Sequence, residues 1–394
     1  MLRQVSTMSK LTELLDELCP DGVEYRVLGD LTELSIGKFV KKTKQRDDFE
    51  YPVYNGGAEP TGYFSEWNAE ADSIVIAARG SIGFVNFVTT KFWAGNSSYV
   101  LKNLGESIDR RYLYHYLKHH EHDLYKLRST GSIPAINKKP LSQMLIGIPP
   151  LEVQQEIVRV LDAFTDLEQS LVSELELRKK QYGFYRDELL NFTANGGGEL
   201  CPDGVEFRTL KEVCKEIIVP QRDRPKVFGG EIPWCRIEDI DGQFITGSKL
   251  GLGVTKDTIE GMNLRVCPEG TVLATCSASL GVVAIAAQPL VTNQTFIGLV
   301  CGEELINKYL YYFLFTQERK LKSLASTGTI PYISRKKFEG LCIPVPPLEV
   351  QHEIVRVLDA FTDLEQSLVS ELELRKKQYE FYRDELLSFT PKED

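Results

Sequence analysis

The feature that most constrains this chain is a segment that occurs twice. The stretch "PPLEVQQEIVRVLDAFTDLEQSLVSELELRKKQYGFYRDELLNFT", Pro149 to Thr193, returns at Pro346 to Thr390, offset by 197 residues. Over those 45 positions only Gln155/His352, Gly183/Glu380 and Asn191/Ser388 differ. A repeat of that length marks a doubled unit, each half of which must bury a core of its own. Weaker matches extend it: "STGSIPAI" at Ser129 faces "STGTIPYI" at Ser326, "ARGSIG" at Ala78 faces "SASLG" at Ser277, and "ELCPDGVEYR" at Glu17 faces "ELCPDGVEFR" at Glu199.

The expected organisation is α+β, with an N-terminal helical segment (1–18), a first α/β domain (19–149), a first long helix (150–198), a second α/β domain (199–346) and a second long helix (347–394). The "TANGGGE" run ahead of Leu200 reads as the hinge between the two units.

Inside each repeat the apolar residues keep a heptad spacing. In the first copy they are Ile157, Leu161, Phe164, Leu171, Leu175, Tyr182, Tyr185, Leu189 and Phe192; in the second, Ile354, Leu358, Phe361, Leu368, Leu372, Tyr379, Tyr382 and Leu386. Pro149 and Pro150 stand just ahead of the first turn, where missing amides matter least, and Glu152 and Glu156 lie near the positive end of the helix dipole. From Ile157 to Phe192 the helix spans about 54 Å, too long to bury within one small domain. Two such helices are expected to pack on each other as a coiled coil, and if they run antiparallel their near-identical sequences impose a pseudo-two-fold axis. Pairing Glu168 with Arg375 and Arg178 with Glu365 sets the axis near Ser173 and Ser370. A cysteine pair at 173 and 370 is then expected to crosslink.

A net charge of −10 argues at first against a nucleic-acid binder. Partition reverses that reading. Residues 19–149 and 201–346 are each at +1, while residues 150–200 and 347–394 carry −5 and −6. Bases cluster within the domains at Lys38, Lys41, Lys42, Lys44 and Arg46, at Lys138 and Lys139, at Arg222, Arg224 and Lys226, and at Arg335, Lys336 and Lys337. Two of these clusters follow the S-T-G-x-I-P motif at equivalent positions. One such cluster alone is usually a solvated loop; four, two per domain, suggest a polyanionic partner.

Signs of catalysis are sparse. "GQFITGSK" at Gly242 lacks the Lys-Ser/Thr of a phosphate loop and reads as a β-turn, and no nucleophile elbow or N/D-P-P-aromatic methyltransferase motif occurs. His115 and His119 stand one helical turn apart near His120 and His122, a spacing that suits a metal. The second half has no histidine there, so a helix end is the favoured reading and no metal is expected. Eight cysteines without C-x-x-C pairs suggest reduced thiols in a cytoplasm, and the N-terminus has no export signal. The uncharged run from Thr271 to Gly302 is interrupted by Gly281 and Pro289 and reads as buried strands rather than a membrane span.

What remains is recognition by loops on rigid domains. "YPVYNGGAEPTGYF" with Asn55, "ARGSIG" with Arg79 and Ser81, and "FWAGNSS" with Asn96 supply polar residues in the first domain. "IPWCRIEDIDGQ" with Arg236, Ser279, and "VTNQTF" with Asn293 and Gln294 supply them in the second. Together with Lys41, Lys42, Lys44, Arg46, Lys138, Lys139, Arg222, Arg224, Arg335, Lys336 and Lys337 they form the candidate DNA-contacting set.

On the "PPLEVQQEI" and "PPLEVQHEI" helix starts and the paired "STGSIP" and "STGTIP" domain ends, the chain resembles the specificity subunits of type I restriction-modification systems over its whole length. The resemblance implies two target recognition domains held in inverted orientation by the two helices, packed as an antiparallel coiled coil with pseudo-two-fold symmetry, each domain reading one half of a split, asymmetric DNA target. It implies two modification subunits as partners, restriction subunits in addition, and no catalysis or cofactor in this chain, with S-adenosylmethionine, ATP and Mg²⁺ on the partners. Identical docking helices for identical partners, beside unlike readers for unlike half-sites, account for a repeat that is the same twice. Recent duplication or recombination would also keep the copies alike. The alternatives are a coiled-coil adaptor carrying two protein-binding domains, which leaves the basic loops without a role, and a self-sufficient nuclease or methyltransferase, which the missing motifs disfavour.

Overall fold

A computed structural model describes residues 10, 11, 13–192, 200–202, 204–220, 223–277, 279–326 and 331–392. The expected hinge at 193–199, Arg222 and part of the second S-T-G-x-I-P motif lie outside these residues. The chain forms two compact units, one of residues 1–173 with 370–394 and one of residues 174–369. Each α/β domain is therefore joined by the beginning of the helix that follows it and by the end of the other helix.

In the first unit, strand Glu24–Val27 pairs antiparallel with Leu145–Ile148, bringing the two ends of the domain side by side. The turn before it requires Gly22, whose φ is +93° and on which a Cβ would stand only 2.7 Å from the Thr390 carbonyl oxygen. Between those ends lies an antiparallel sheet in the order Glu33–Ile36, Ser98–Lys102, Ser73–Ala77, Val85–Val88. A second, smaller sheet sets Tyr51–Tyr54 antiparallel to Tyr63–Phe64 and parallel to Trp93–Ala94. Helix Arg110–His119 packs Tyr112, Leu113, Tyr116 and Leu117 into one core with Ile74 and Ile76. Val153, Ile157, Leu161 and Phe164 of the first long helix, with Leu386 at the end of the second and Leu387 just beyond it, complete that core.

The second unit repeats this plan. Phe207–Thr209 pairs antiparallel with Cys342–Pro344. The main sheet runs Cys214–Ile218, Phe296–Cys301, Val272–Thr275, Val283–Ala286, Phe244–Ile245, its last pair parallel. The smaller sheet sets Ile232–Cys235 parallel to Leu290–Thr292. The uncharged run is thus built into strands, as its broken composition suggests. Among the described residues no helix is long and apolar enough to cross a membrane.

The long helices are Leu151–Leu189 and Leu348–Leu386, 39 residues each. In the first unit Phe164 stacks on Tyr382 with ring centroids 5.4 Å apart and meets Tyr379 at 6.4 Å, while Glu168 faces Lys376 at 3.6 Å. Residue numbers rise on one helix as they fall on the other, so the pair is antiparallel. In the second unit the roles exchange: Phe361 stacks on Tyr185 at 5.4 Å and meets Tyr182 at 6.3 Å, and Glu365 faces Lys179 at 3.6 Å.

The expected pairing of Glu168 with Arg375 and Glu365 with Arg178 is corrected by one residue, since the lysine after each arginine makes the contact. Each arginine folds back along its own helix, Arg178 onto Glu174 and Gln181, Arg375 onto Glu371 and Gln378. A carboxylate four positions earlier on the same helix face is in reach without ordering a second chain. The seam is also uneven. Ile157, Leu161, Phe164, Ile354, Leu358 and Leu386 are buried, whereas Leu171, Leu175, Leu189, Leu368 and Leu372 are half-buried and Tyr185 is exposed. Where an α/β domain backs the helices the seam is closed; two helices alone leave a flank open.

Candidate nucleic-acid interface

Each α/β domain is fastened to its helix by one buried glutamine. Gln154 accepts from the Asp109 N–H at 2.8 Å and donates to the carbonyls of Ser107 at 3.0 Å and Pro149 at 2.7 Å. Gln351 accepts from the Ile306 N–H at 2.9 Å and donates to Glu304 at 2.9 Å and Pro346 at 2.8 Å. Both are 0% exposed. Beside them the Tyr112 hydroxyl donates to the Gly147 carbonyl, and that of Tyr309 to Pro344.

About two turns on, Asp162 accepts from Arg111 and lies 2.7 Å from the His115 ring, while Asp359 accepts from Lys308 at 2.6 Å and the Tyr312 hydroxyl at 2.7 Å. Burial works against the Asp162 carboxylate, but the bonds from His115 and Arg111 outweigh it and hold its pKa below the ordinary value. His115, 1% exposed, is spent on this contact. Among the described residues no cluster of histidine, cysteine or acid suits a metal.

On this mount each domain builds the same backbone frame. In the first unit the Gly95 N–H donates to Tyr54 at 2.8 Å, the Ala78 N–H to Ser97 at 2.8 Å and the Ile136 N–H to Ala78 at 2.9 Å. In the second, Asn293 donates to Cys235 at 3.1 Å, Cys276 to Thr295 at 2.8 Å and Ile333 to Cys276 at 2.8 Å. Three loops and the segment leading to the basic helix are thereby drawn together at one end of the main sheet. Matched positions on the two frames carry different side chains: Asn55 against Arg236, Arg79 against Ser277, and Asn96 against Gln294. All six are at least partly exposed.

The frame sorts the sequence candidates. Arg79 is exposed while its backbone is held, its N–H donating to Ser97 at 3.3 Å and its carbonyl occupying the space a Cβ on Gly56 would need. Ser81 is exposed and its N–H donates to Gly56 at 2.8 Å. Lys41, Lys42 and Lys44 are exposed around a 3₁₀ turn. Lys138 and Lys139 are exposed at the start of helix Lys138–Ser142, as is Lys336 on Arg335–Glu339. Ser279 and Gln294 are exposed as well. Arg224 is exposed, its guanidinium 5.3 Å from the Trp234 ring centroid and 5.5 Å from that of Phe228.

Other candidates have intramolecular tasks. The Asn55 amide oxygen accepts from the Ser97 N–H at 3.0 Å, and that of Asn293 from the Thr295 hydroxyl at 2.8 Å, so both brace loops. Arg46 is paired bidentately with Asp48, and Arg335 donates through its Nε to Glu339 at 2.7 Å. Lys337 donates to the Leu324 carbonyl at 2.6 Å. Arg236 lies 3.7 Å from Glu238, and its N–H is capped by Asp239 at 2.7 Å.

Sequence reasoning missed Gln154 and Gln351, because a heptad pattern has no place for a polar residue buried beside the seam. It also missed Asp239, 2% exposed, which ties the Arg236 loop to the Lys249 N–H at 2.7 Å. The acid three residues after Arg236 is a capping pattern that could have marked it.

Comparison with known proteins agrees with this geometry. A family model described as "Type I restriction modification DNA specificity domain" matches residues 20–177 and 202–374. The EcoR124I/EcoR124II specificity subunit of Escherichia coli is 30% identical, with 98% of each chain covered. A putative type I restriction enzyme specificity subunit of Haemophilus influenzae is 31% identical, covering 93% of this chain and 96% of that one. The fold is also that of the crystal structure of the type I restriction-modification S subunit from M. genitalium, with a TM-score of 0.65 at 18% identity over 93% of this chain and 96% of that one. With both halves matched by the model, this chain belongs to the specificity subunits of type I restriction-modification enzymes, the subunit that supplies DNA sequence recognition and not the catalytic step.

Proposed function

We propose that each of the two frames reads one half of a split, asymmetric DNA target and that the repeated helices dock two copies of one modification subunit. The observation that carries this reading is the pair of frames with the same backbone bonds and unlike side chains at matched positions. A backbone scaffold used twice sets how a duplex is approached; side chains at its mouth choose the bases. S-adenosylmethionine, ATP and Mg²⁺ belong to the modification and restriction subunits of the complex, which acts on chromosomal DNA in the cytoplasm. Single-molecule sequencing of methylated adenines, in a host expressing this chain with its modification subunit, should return one motif with two unlike halves and a constant unread gap. A continuous or palindromic motif would sink the proposal.

Two further outcomes follow from it. Replacing Lys41, Lys42 and Lys44 together with alanine removes exposed cations that release counterions from phosphate, so the slope of log affinity against log salt should fall by about 3 without changing the motif. Salt titration of DNA binding by the assembled complex measures this. Inserting or deleting seven residues in one long helix keeps its seam in phase but changes its length by about 10 Å. The unread gap should change, or recognition be lost; an unchanged motif argues that helix length plays no part.

A further inference from the structure

The two repeats are nearly identical in sequence, yet one helical stripe is covered in one copy and open in the other. In the first unit Val153, Glu156 and Val160 are 0%, 5% and 6% exposed. Residues 10, 11 and 13–18 form a helix there, with Leu11 buried and Leu14, Leu15 and Leu18 packed on the same core. Its Lys10 ammonium lies 3.1 Å from the Glu156 carboxylate. Glu13, Asp16 and Glu17 are exposed, so this is an amphipathic helix laid apolar side down. In the second unit the same stripe is Val350, Glu353 and Val357. The two valines are only half-buried, and the Glu353 side chain is 45% exposed against 5% for Glu156, with only Arg356 of its own helix as ion-pair partner among the described residues.

We infer that the Val350–Glu353–Val357 stripe is a docking site for an amphipathic helix carried by the modification subunit, and that the helix of residues 10, 11 and 13–18 already occupies its twin on the first repeat. The occupant's chemistry is read from the filled copy: apolar residues at i, i+3, i+4 and i+7, led by a lysine that pairs with the glutamate. Naming the modification subunit rests on the function proposed above; the chemistry of the stripe does not. The consequence is that the two identical repeats are unequal, because a partner helix must displace that helix at the first and meets a free surface at the second.

The stripe is tested first without any partner. A labelled peptide with the sequence of residues 9–19 is titrated against the intact chain by fluorescence anisotropy. One molecule should bind per chain, and Glu353→Arg or Val357→Asp, both at surface positions, should weaken it at least tenfold. Absence of saturable binding, or binding indifferent to both substitutions, overturns the inference. The modification subunit is then titrated against the intact chain and against Leu11→Asp/Leu15→Asp, with assembly followed by sedimentation. Loading should proceed in two unequal steps that become equal in the variant, and the peptide should compete with the tighter one; equal steps on the intact chain overturn the inequality. A modification subunit that does not load at all sinks the partner reading, while the peptide result still decides the stripe.

Discussion

Replacing Gln154 with alanine should destabilise the first unit by about 3 kcal/mol, and Gln351→Ala the second by a similar amount. The side chain is fully buried and satisfies one amide and two carbonyls of the backbone, so its removal strands those groups in a dry site. Each buried polar group left unpaired costs about 1–3 kcal/mol, partly relieved where water enters the space vacated. For a unit of this size that is a fall of roughly 6–12 °C in the unfolding midpoint.

The two substitutions should act on different transitions, because each clasp lies wholly inside one unit. Gln154→Glu separates hydrogen bonding from shape. It keeps the volume but sets carboxylate oxygens against the Ser107 and Pro149 carbonyls, and should be at least as harmful as alanine near neutral pH. Calorimetry of the three variants decides the matter. A shift below 2 °C for Gln154→Ala would mean the domain is held by apolar packing alone.

Exchanging residues 20–130 for the corresponding segment of another family member should replace one half of the methylated motif and leave the other half intact. The junctions are favourable. One falls in the Cys-Pro-Asp-Gly turn, and the other in the S-T-G-x-I-P segment, where Ser129 donates to Ala135 and Ser326 to Tyr332, both at 2.9 Å. The segment carries Asn55, Arg79, Ser81 and Asn96; Gln154 and Pro149 of the clasp stay with the recipient, while the Ser107 and Asp109 backbone groups that meet Gln154 come with the exchanged segment.

Each base pair wrongly matched in a site costs about 1–3 kcal/mol, so a reader with several altered side chains discriminates fully against the old half-site. The single substitution Arg79→Ala should relax one position of one half, by roughly 5- to 150-fold, because an exposed arginine on a held backbone suits bidentate contact with guanine. Methylome sequencing reads both variants. Changes in both halves after the exchange, or in neither, would show that the two frames do not read separately.

The pairing of Arg46 with Asp48 and of Arg335 with Glu339 is something the charge clusters alone do not reveal. A run of basic residues reports composition, and only coordinates show which cations already have a carboxylate. Asn55 and Asn293 make the same point for amides, as both are polar loop residues whose oxygens already accept hydrogen bonds, from the Ser97 N–H and the Thr295 hydroxyl.

The doubled organisation, the two long helices with their heptad seam and the buried strands of the uncharged run were legible in the sequence. All of these depend on local periodicity or on self-similarity, which a linear text preserves. The discontinuous units, the glutamine clasps, the one-residue shift to Lys376 and Lys179, and the backbone frame were decided only by the tertiary structure. They are bonds between residues tens to hundreds of positions apart, such as Ala78 with Ser97, Ser107 with Gln154, and Phe164 with Tyr382. Which distant groups meet is fixed by the packing of whole elements, and no spacing within one segment encodes it.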